Sequence, residues 1–315
     1  MVSPSGRTIG GPVLAKGTLR APGWRPAIGA YLVHAMTGAP AMSTEGEAPG
    51  GRSAARYLLL LFGLCVPIWV VGSVVDVELF PGFELFQAGL AMPMVAALLL
   101  TFHERGWQGT AALLRRTYDV GRISPKAWLL PMLLLFPGIG LVNYAVVRLS
   151  GVEIPPPTFS WAVFLGYCPV FFMTYAEELG LTGYGLEPLR ERHGALVAGL
   201  VLGLVWAGYH IPGFVISGYY SAGWIFWHAV FTVAARVLFV WIYESSGRSL
   251  FSMALCHWTT GLFWNLWPQD NLQRAVPFYR PEISAAVAVL LVLIVVSLWD
   301  PKTLARFRFA RADRA

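Results

Sequence analysis

Two adjacent carboxylates, Glu177 and Glu178, lie within the otherwise apolar stretch VFFMTYAEELGLTGY at residues 170–184. Residues 179–186 carry no charge, so the sequence on both sides is compatible with burial. A membrane-boundary pair in contact with water is the alternative interpretation. An ionisable side chain at membrane depth costs several kcal/mol and by default marks a functional site. The stretch therefore predicts a transmembrane helix that carries a functional acid pair.

The composition is that of a polytopic membrane protein. The chain has 315 residues, 56% of them hydrophobic and 13% charged, and a mean hydropathy of +0.59. A soluble globular chain carries about 25% charged residues. The net charge of +6 does not indicate nucleic-acid binding, because the basic residues lie between apolar runs. The cysteines, Cys65, Cys168 and Cys256, all fall in apolar segments and indicate no disulfide framework. The lipid bilayer is the predicted partner, and nucleic acid is not.

The apolar runs predict an all-α fold, a polytopic membrane helix bundle with about eight transmembrane helices, each of roughly 20 residues. We place these spans near residues 57–75, 84–102, 127–148, 160–182, 195–211, 224–243, 249–267 and 283–300. The connectors after the second, fourth and sixth spans carry Arg or Lys, whereas those after the first and fifth carry none. Both termini should therefore be cytoplasmic.

Three regions are expected along the chain. Residues 1–54, rich in Gly, Pro, Ala and Ser, are predicted to be a poorly ordered tail, and Met42 within them resembles a natural start. Residues 55–301 should form the transmembrane domain, with the candidate functional positions in a core at 127–267. Residues 302–315 should form a basic cytoplasmic tail.

Two histidines join the acid pair as candidates. His257 lies near the middle of the seventh span, about 13 Å along the helix from Arg248, and should face the bundle interior. His210 lies near a helix end, where a histidine is more often a satisfied polar group. Simple counting also puts His210 nearer the outer side than Glu177. For the three to meet, the fifth span must start late, tilt or begin with a surface segment.

The order and spacing of these positions resemble the CAAX protease and bacteriocin-processing family of intramembrane proteases, which includes the type II CAAX prenyl endopeptidases. The Glu-Glu-x-x-x-Arg motif is matched by Glu177 and Glu178, with Thr182 in the arginine position. The Phe-x-x-x-His motif is matched from Trp206 to His210. The His-x-x-x-Asn motif is matched by His257, with Gly261 in the asparagine position. The resemblance covers roughly residues 127–267 and implies an eight-span protease-like domain.

The two departures suggest compensating residues. Arg236 lies inside the sixth span, where a cation requires an anionic partner, so it is predicted to pair with Glu178 in place of an arginine at position 182. Asn265 lies two turns beyond His257 on a similar face and is a second supporting candidate, although a structural role is the simpler interpretation.

The resemblance implies an intramembrane endopeptidase with Glu177, Glu178, His210 and His257 as catalytic residues. Glu177 would act as the general base that activates water, and the two histidines would stabilise the oxyanion or orient the water. The alternative is a divalent metal, zinc by residue type, held by Glu177, His210 and His257; no other cofactor is indicated. This metalloprotease chemistry and the metal-free chemistry both stay open.

The implied substrate is a membrane-associated peptide or protein, and a prenylated CAAX terminus is the best-known substrate of relatives. The composition is typical of a bacterial protein, which favours the bacterial cytoplasmic membrane as its location. Two other functions remain open. An ion-coupled transporter would also bury Glu, His and Arg, and a catalytically inactive membrane scaffold would tolerate Thr182 and Gly261 at the motif positions.

Overall fold

A computed structural model describes residues 53–80, 83–154, 160–262 and 279–309. Apart from one short hairpin, the regular elements formed by these residues are helices, so the predicted all-α bundle is confirmed. The elements in chain order are α1 (Ala54–Val74), β1 (Glu78–Phe80), β2 (Phe83–Glu84), a 3-10 helix (Leu85–Ala91), α2 (Met92–Arg115), two further 3-10 helices (Arg116–Arg122 and Lys126–Trp128), α3 (Leu129–Leu149), α4 (Trp161–Tyr167), α5 (Val170–Gly180), a π-helical turn (Leu181–Gly185), α6 (Leu186–His193), α7 (Ala195–Ser217), α8 (Ala222–Ser245), α9 (Leu250–Leu262) and α10 (Pro281–Leu298).

Within the described residues, 6 helical segments are long and apolar enough to cross a membrane. They are Ala54–Val74, Leu85–Arg122, Lys126–Leu149, Ala195–Ser217, Ala222–Ser245 and Pro281–Leu298. Many of their large apolar side chains point away from the bundle; Leu59 is 76% exposed and Leu149 is 87% exposed. Such a surface requires lipid. The chain is therefore an integral, multi-pass membrane protein.

The fourth and seventh predicted spans are not single helices of spanning length. The fourth is divided between α4 and α5, because Pro169, which has no backbone N–H, lies between them. The seventh contains α9, which has 13 residues, and the remainder of that predicted span lies outside the described residues. The second half of α5 and most of α9 are buried inside the bundle, whereas α4 is largely exposed, with Trp161 at 68% and Leu165 at 61%.

The helix that carries the acid pair continues further than predicted. α5, the π-helical turn and α6 follow one another without a non-helical residue from Val170 to His193. Gly194 then reverses the chain with a φ of +83°, and α7 begins at Ala195. Glu177 and His210 therefore lie at nearly equal separations from Gly194, roughly 25 Å along each helix. The sequence predicted that Glu177 and His210 lie at different depths in the membrane. They lie at similar depths because the helical segment that carries Glu177 continues to His193, beyond its predicted end, while α7 begins where it was predicted.

α7 and α8 form the centre of the bundle and approach each other closely. A Cβ atom on Gly203 would lie 2.9 Å from Cα of Val233, and one on Gly199 would lie 3.3 Å from Cα of Val237. Glycines four residues apart let membrane helices bring their backbones into contact. This contact places α8, with Arg236, beside the helices that carry the other candidate residues.

The residues after α10 pack against the start of α7. The carbonyl of Lys302 accepts a hydrogen bond of 2.8 Å from the backbone N–H of Ala195, and Leu304 is fully buried. The predicted tail at 302–315 is described as far as Phe309. The predicted tail at 1–54 lies outside the described residues except for its last two, and the possible start at Met42 lies outside them as well.

Candidate active site

Glu177 is buried near the end of α5 and accepts two hydrogen bonds from α7. Its Oε2 atom accepts a bond of 3.0 Å from the indole Nε1–H of Trp206 and a second bond from the hydroxyl of Tyr209. The residue is 4% exposed. Two donors on one oxygen fix the carboxylate in place. Among the described contacts neither bond goes to Oε1, which can therefore accept a hydrogen bond from a water molecule.

His210 faces this carboxylate from α7. Its Nδ1 atom lies 2.9 Å from the carbonyl oxygen of Trp206, so Nδ1–H is the donor there. Nε2 consequently points toward the site, 4.0 Å from Oε2 of Glu177. That distance is too long for a direct hydrogen bond and leaves the two atoms able to share one water molecule.

Glu178 follows Glu177 on α5, about 100° further around the helix, and its carboxylate has three hydrogen-bonding partners. The guanidinium of Arg236 donates to both of its oxygens, at 2.7 and 2.9 Å. The hydroxyl of Thr182 donates to Oε2 at 2.6 Å. Nδ1 of His257 lies 3.0 Å from Oε1. Glu178 is thus a fully buried anion that is neutralised by one cation and orients one imidazole.

His257 connects the two carboxylates. Because Nδ1–H donates to Glu178, Nε2 faces the other side of the ring, where it lies 4.0 Å from Oε2 of Glu177. The ring packs against the indole of Trp206, with centroids 4.7 Å apart. Both histidines therefore present Nε2 to the same carboxylate from opposite helices.

α9 holds His257 at this depth because its first turn is capped inside the protein. The carboxylate of Asp119 accepts hydrogen bonds from the backbone N–H groups of Leu250 and Phe251, both at 3.1 Å, and from the hydroxyl of Ser249 at 2.7 Å. A carboxylate at a helix N-terminus satisfies the free N–H groups and complements the helix dipole.

The structure brings together Glu177, Glu178, His210, His257 and Arg236, as the sequence predicts. Asn265, the other supporting candidate, lies outside the described residues. The site also contains a residue that the sequence analysis missed, Tyr209. The available signal was its position three residues after Trp206 and directly before His210, which puts a second donor on the same helix face.

Gly261, in the asparagine position of the third motif, has its side-chain space filled by another residue. A Cβ atom at this position would collide with the hydroxyl of Tyr167. Tyr167 is held against α9 by a hydrogen bond of 3.2 Å from its hydroxyl to the carbonyl of Trp258. No side chain larger than glycine fits here without moving Tyr167.

The donor atoms fit a zinc ion poorly. Among the described residues, no three His, Cys, Asp or Glu side chains are arranged to hold a metal ion. Oε2 of Glu177 lies 4.0 Å from Nε2 of each histidine. Ligands at about 2.0–2.1 Å from one tetrahedral zinc lie closer together than this, so these separations would require nearly linear coordination.

A cavity of about 290 Å³ reaches the site from one end of the bundle. Its walls are the 3-10 helix Leu85–Ala91 and the C-terminal part of α7, and Tyr209 and His210 line its inner end. The proposed water-binding position is therefore connected to a space large enough for a few amino-acid side chains.

Fold and site together define an integral membrane protein whose helix bundle encloses an acid–imidazole–guanidinium cluster beside a cavity. Residues 159–267 match the family model described as "Type II CAAX prenyl endopeptidase Rce1-like". The matched region contains all five clustered residues. The match covers less than half of the chain and agrees with the resemblance of its three motifs to the CAAX protease family.

The chain is also similar in sequence to a curated protein. The chain is 22% identical over 175 residues to "CAAX prenyl protease 2" of Methanococcus maripaludis. The alignment covers 52% of this chain and 64% of the relative, which is slightly less than two thirds of the relative's length.

Proposed function

We propose that the protein is an intramembrane endopeptidase that hydrolyses a peptide bond of a membrane-associated substrate through a water molecule activated by Glu177. The observation that carries the proposal is the position of Nε2 of both His210 and His257 at 4.0 Å from Oε2 of Glu177. A water molecule bound there contacts a base on one side and two imidazoles on the others.

In the proposed reaction, the water oxygen attacks the carbonyl carbon of the scissile bond while Glu177 takes one of its protons. The carbon becomes tetrahedral and the carbonyl oxygen becomes an oxyanion. Glu177 then passes the proton to the departing amine nitrogen as the C–N bond breaks, which leaves a carboxylic acid and an amine. The buried, apolar surroundings exclude bulk water and strengthen these interactions.

The two histidines have different partners and hence different roles in this proposal. Nδ1–H of His210 is engaged by a neutral carbonyl, so the neutral ring offers Nε2 as an acceptor that orients the water. Nδ1–H of His257 is engaged by Glu178, and in the proposal the ring carries a second proton, on Nε2, before the water attacks. In that state Nε2–H of His257 donates to the oxyanion.

The proposal also includes a substrate, an orientation and a location. The relative's name mentions prenyl protease activity, and a prenylated CAAX terminus is one candidate substrate here. Cytoplasmic termini and a location in the bacterial cytoplasmic membrane are supported by the distribution of basic residues and by the composition. A transporter or an inactive scaffold would bury the same cluster without cleaving peptides, so cleavage is the decisive property.

The test is a cleavage assay of the purified protein in detergent or liposomes, on a broad panel of membrane peptides. Glu177→Gln keeps the shape of the side chain and its ability to accept from Trp206 and Tyr209, but it removes the base. We expect the rate to fall by about 10²–10⁴. Glu191→Gln, on the exposed surface of α6, is the matched control and should cleave at the normal rate.

Two results would contradict the proposal. One is a wild-type protein that cleaves no peptide of the panel, which favours the scaffold or the transporter. The other is a Glu177→Gln variant that is folded and cleaves at the wild-type rate, which would remove Glu177 from the mechanism.

A further inference from the structure

The chain changes direction at Gly106, near the end of the second membrane-crossing segment. This residue lies within α2 but has a φ of +61° and a ψ of −162°, which interrupts the helix. A positive φ of this kind is favoured at glycine, which has no Cβ atom. Helical structure resumes after Gly106 and continues into the 3-10 helix Arg116–Arg122. Residues 107–126 therefore form a separate segment, the interfacial segment, beyond the spanning part of α2.

Two contacts place the interfacial segment across one end of the bundle. The guanidinium of Arg116 donates a hydrogen bond of 2.7 Å to the hydroxyl of Tyr243, in the last turn of α8. The carboxylate of Asp119 accepts a hydrogen bond of 3.1 Å from the backbone N–H of Leu250, the first residue of α9. The ends of helices that span a bilayer lie near the lipid headgroups. The interfacial segment therefore lies at the boundary between lipid and water.

The carboxylates of this region are turned toward the bundle. Asp119 is the one acidic residue of the interfacial segment, and both of its oxygens accept hydrogen bonds from the start of α9. Glu104, the nearest acidic residue before the segment, accepts a hydrogen bond of 2.6 Å from the hydroxyl of Tyr184. Both negative charges are thus directed away from the outward face of the segment.

That outward face combines basic and aromatic side chains. Arg115, Arg122 and Lys126 are exposed. Trp107 is 69% exposed and Tyr118 is 85% exposed. Tryptophan and tyrosine favour the headgroup level of a bilayer, where each nearby Arg or Lys strengthens binding to anionic lipid by about fivefold. The composition of this face is therefore complementary to an anionic lipid surface.

The inward face of the interfacial segment contacts the helices of the candidate active site. Nη1 of Arg116 donates to the carbonyl of Gly183, in the π-helical turn and directly after Thr182. Asp119 caps α9, which carries His257 about two turns further on. The segment thus connects the membrane surface to the two elements that hold the partners of Glu178.

We propose that the outward face of the interfacial segment binds the anionic headgroups of the surrounding membrane lipids, and that this binding keeps α9 and the π-helical turn in position. A lipid is the partner rather than a free phosphate ion, because Trp107 and Tyr118 offer apolar surface that a free ion does not use. The lipid binding is independent of the proposed peptidase function, whereas its effect on cleavage rests on that function.

The first test compares the thermal unfolding of the full chain in nanodiscs of phosphatidylcholine with and without phosphatidylglycerol. The anionic lipid should raise the Tm by roughly 2–4 °C for each basic residue that binds a headgroup. The double variant Arg115→Gln/Arg122→Gln removes two of these charges at exposed positions and should lose most of the gain. A third sample, in phosphatidylcholine with inorganic phosphate at matched ionic strength, should show no gain.

The matched control removes the same charge elsewhere at this end of the bundle, where α6 ends and α7 begins. Arg192 and Lys302 are exposed and lie close in sequence to the acidic residues Glu191 and Asp300. Their charges are therefore partly compensated. The double variant Arg192→Gln/Lys302→Gln should keep the wild-type gain from phosphatidylglycerol.

Hydrogen exchange tests the connection to the active site. Phosphatidylglycerol should slow the exchange of backbone amides in the first turns of α9, and Arg115→Gln/Arg122→Gln should abolish the difference between the two lipids. The first turn of α7 is the internal reference, because Ala195 is bound to the segment after α10 instead. Its amides should exchange at the same rate in both lipids. Where the protein cleaves a peptide, the rate should rise with the anionic lipid in the wild type and not in the double variant.

The outcomes separate the lipid surface from the function. Absence of a Tm gain, an equal gain in Arg115→Gln/Arg122→Gln, or an equal gain from inorganic phosphate overturns the lipid-binding surface. A gain in Tm without slower exchange in α9 overturns the connection to the site. Failure to cleave any peptide, with the Tm and exchange effects intact, contradicts the peptidase function and leaves the lipid surface standing.

Discussion

Arg236 on α8 binds the carboxylate of Glu178 on α5 through two hydrogen bonds, of 2.7 and 2.9 Å, and both side chains are fully buried. The guanidinium also lies over the rings of Trp206 and Phe239, at 4.4 and 5.1 Å from their centroids. The first motif has Thr182 in its arginine position, and Arg236 supplies the missing cation from a different helix. Thr182 adds a hydroxyl to the same carboxylate, so its short side chain completes the arrangement.

The first prediction concerns the cost of breaking this pair. Arg236→Met keeps a long side chain but leaves Glu178 buried without its cation, so we expect the free energy of unfolding to fall by about 3–5 kcal/mol. Denaturant unfolding of the detergent-solubilised protein measures the change. Arg192→Met, on the exposed surface, should change stability by less than about 0.5 kcal/mol.

The same pair predicts a rescue. Thr182→Arg combined with Arg236→Met returns a guanidinium to the position that the family motif specifies, one helical turn after Glu178. We expect the double variant to recover part of the stability and cleavage activity that Arg236→Met loses. A double variant no better than Arg236→Met alone would show that Arg236 acts through something other than its charge on Glu178.

The sequence predicted most members of the site because each is costly in an apolar setting. A buried Glu, His or Arg requires a partner, and there were few partners to choose from, so Arg236 could be assigned to Glu178. Tyr209 was not predicted as a site residue, because tyrosine is common in membrane helices and does not by itself indicate a functional site. The space occupied by the Tyr167 hydroxyl was also unpredictable, since it depends on a contact across 91 residues of sequence.

The fold class was predictable from hydropathy, but helix lengths were not. Hydropathy alone does not distinguish a membrane-facing helix from a buried one, so the segments around Glu177 and His257 were predicted as full spans. Pro169 divides one, and the other yields the short α9. The helical course to His193 was missed because the charged residues of α6 suggested a loop. Because of this extension, Glu177 and His210 lie at similar depths in the bundle.

The second prediction tests the donors to Glu177. Tyr209→Phe removes the hydroxyl that donates to Oε2 and leaves the ring in place. A hydrogen bond to a charged group contributes about 1.5–3 kcal/mol, so we expect cleavage to slow by roughly 10- to 150-fold. Tyr219→Phe, an exposed tyrosine at the cavity wall, should change the rate far less. Equal effects of the two substitutions would argue against a positioning role for Tyr209.

The third prediction concerns metal. Because the separations around Glu177 suit a shared water better than a tetrahedral zinc ion, we expect purified, active protein to contain less than stoichiometric zinc. Cleavage should persist after treatment with a strong chelator. Elemental analysis and the assay before and after chelation measure both. Loss of activity on chelation, with recovery on adding zinc, would establish the metalloprotease alternative instead.

The last prediction links the central helix pair to the site. A methyl group on Gly203 would lie 2.9 Å from Cα of Val233 and 3.3 Å from Cβ of Arg236, so α7 and α8 must separate to accommodate it. We expect Gly203→Ala to lower the free energy of unfolding by about 1–3 kcal/mol. Cleavage should fall with it, because the shift moves Arg236 away from Glu178.

Gly208 provides the matched control on the same helix, since a Cβ atom there meets nothing within 4 Å. Gly208→Ala should be neutral or stabilise α7 by up to about 1 kcal/mol, because alanine favours the helix over glycine. The difference between the two glycine variants isolates the interhelical contact from helix propensity. If both variants unfold and cleave alike, the close approach of α7 and α8 does not determine the position of Arg236.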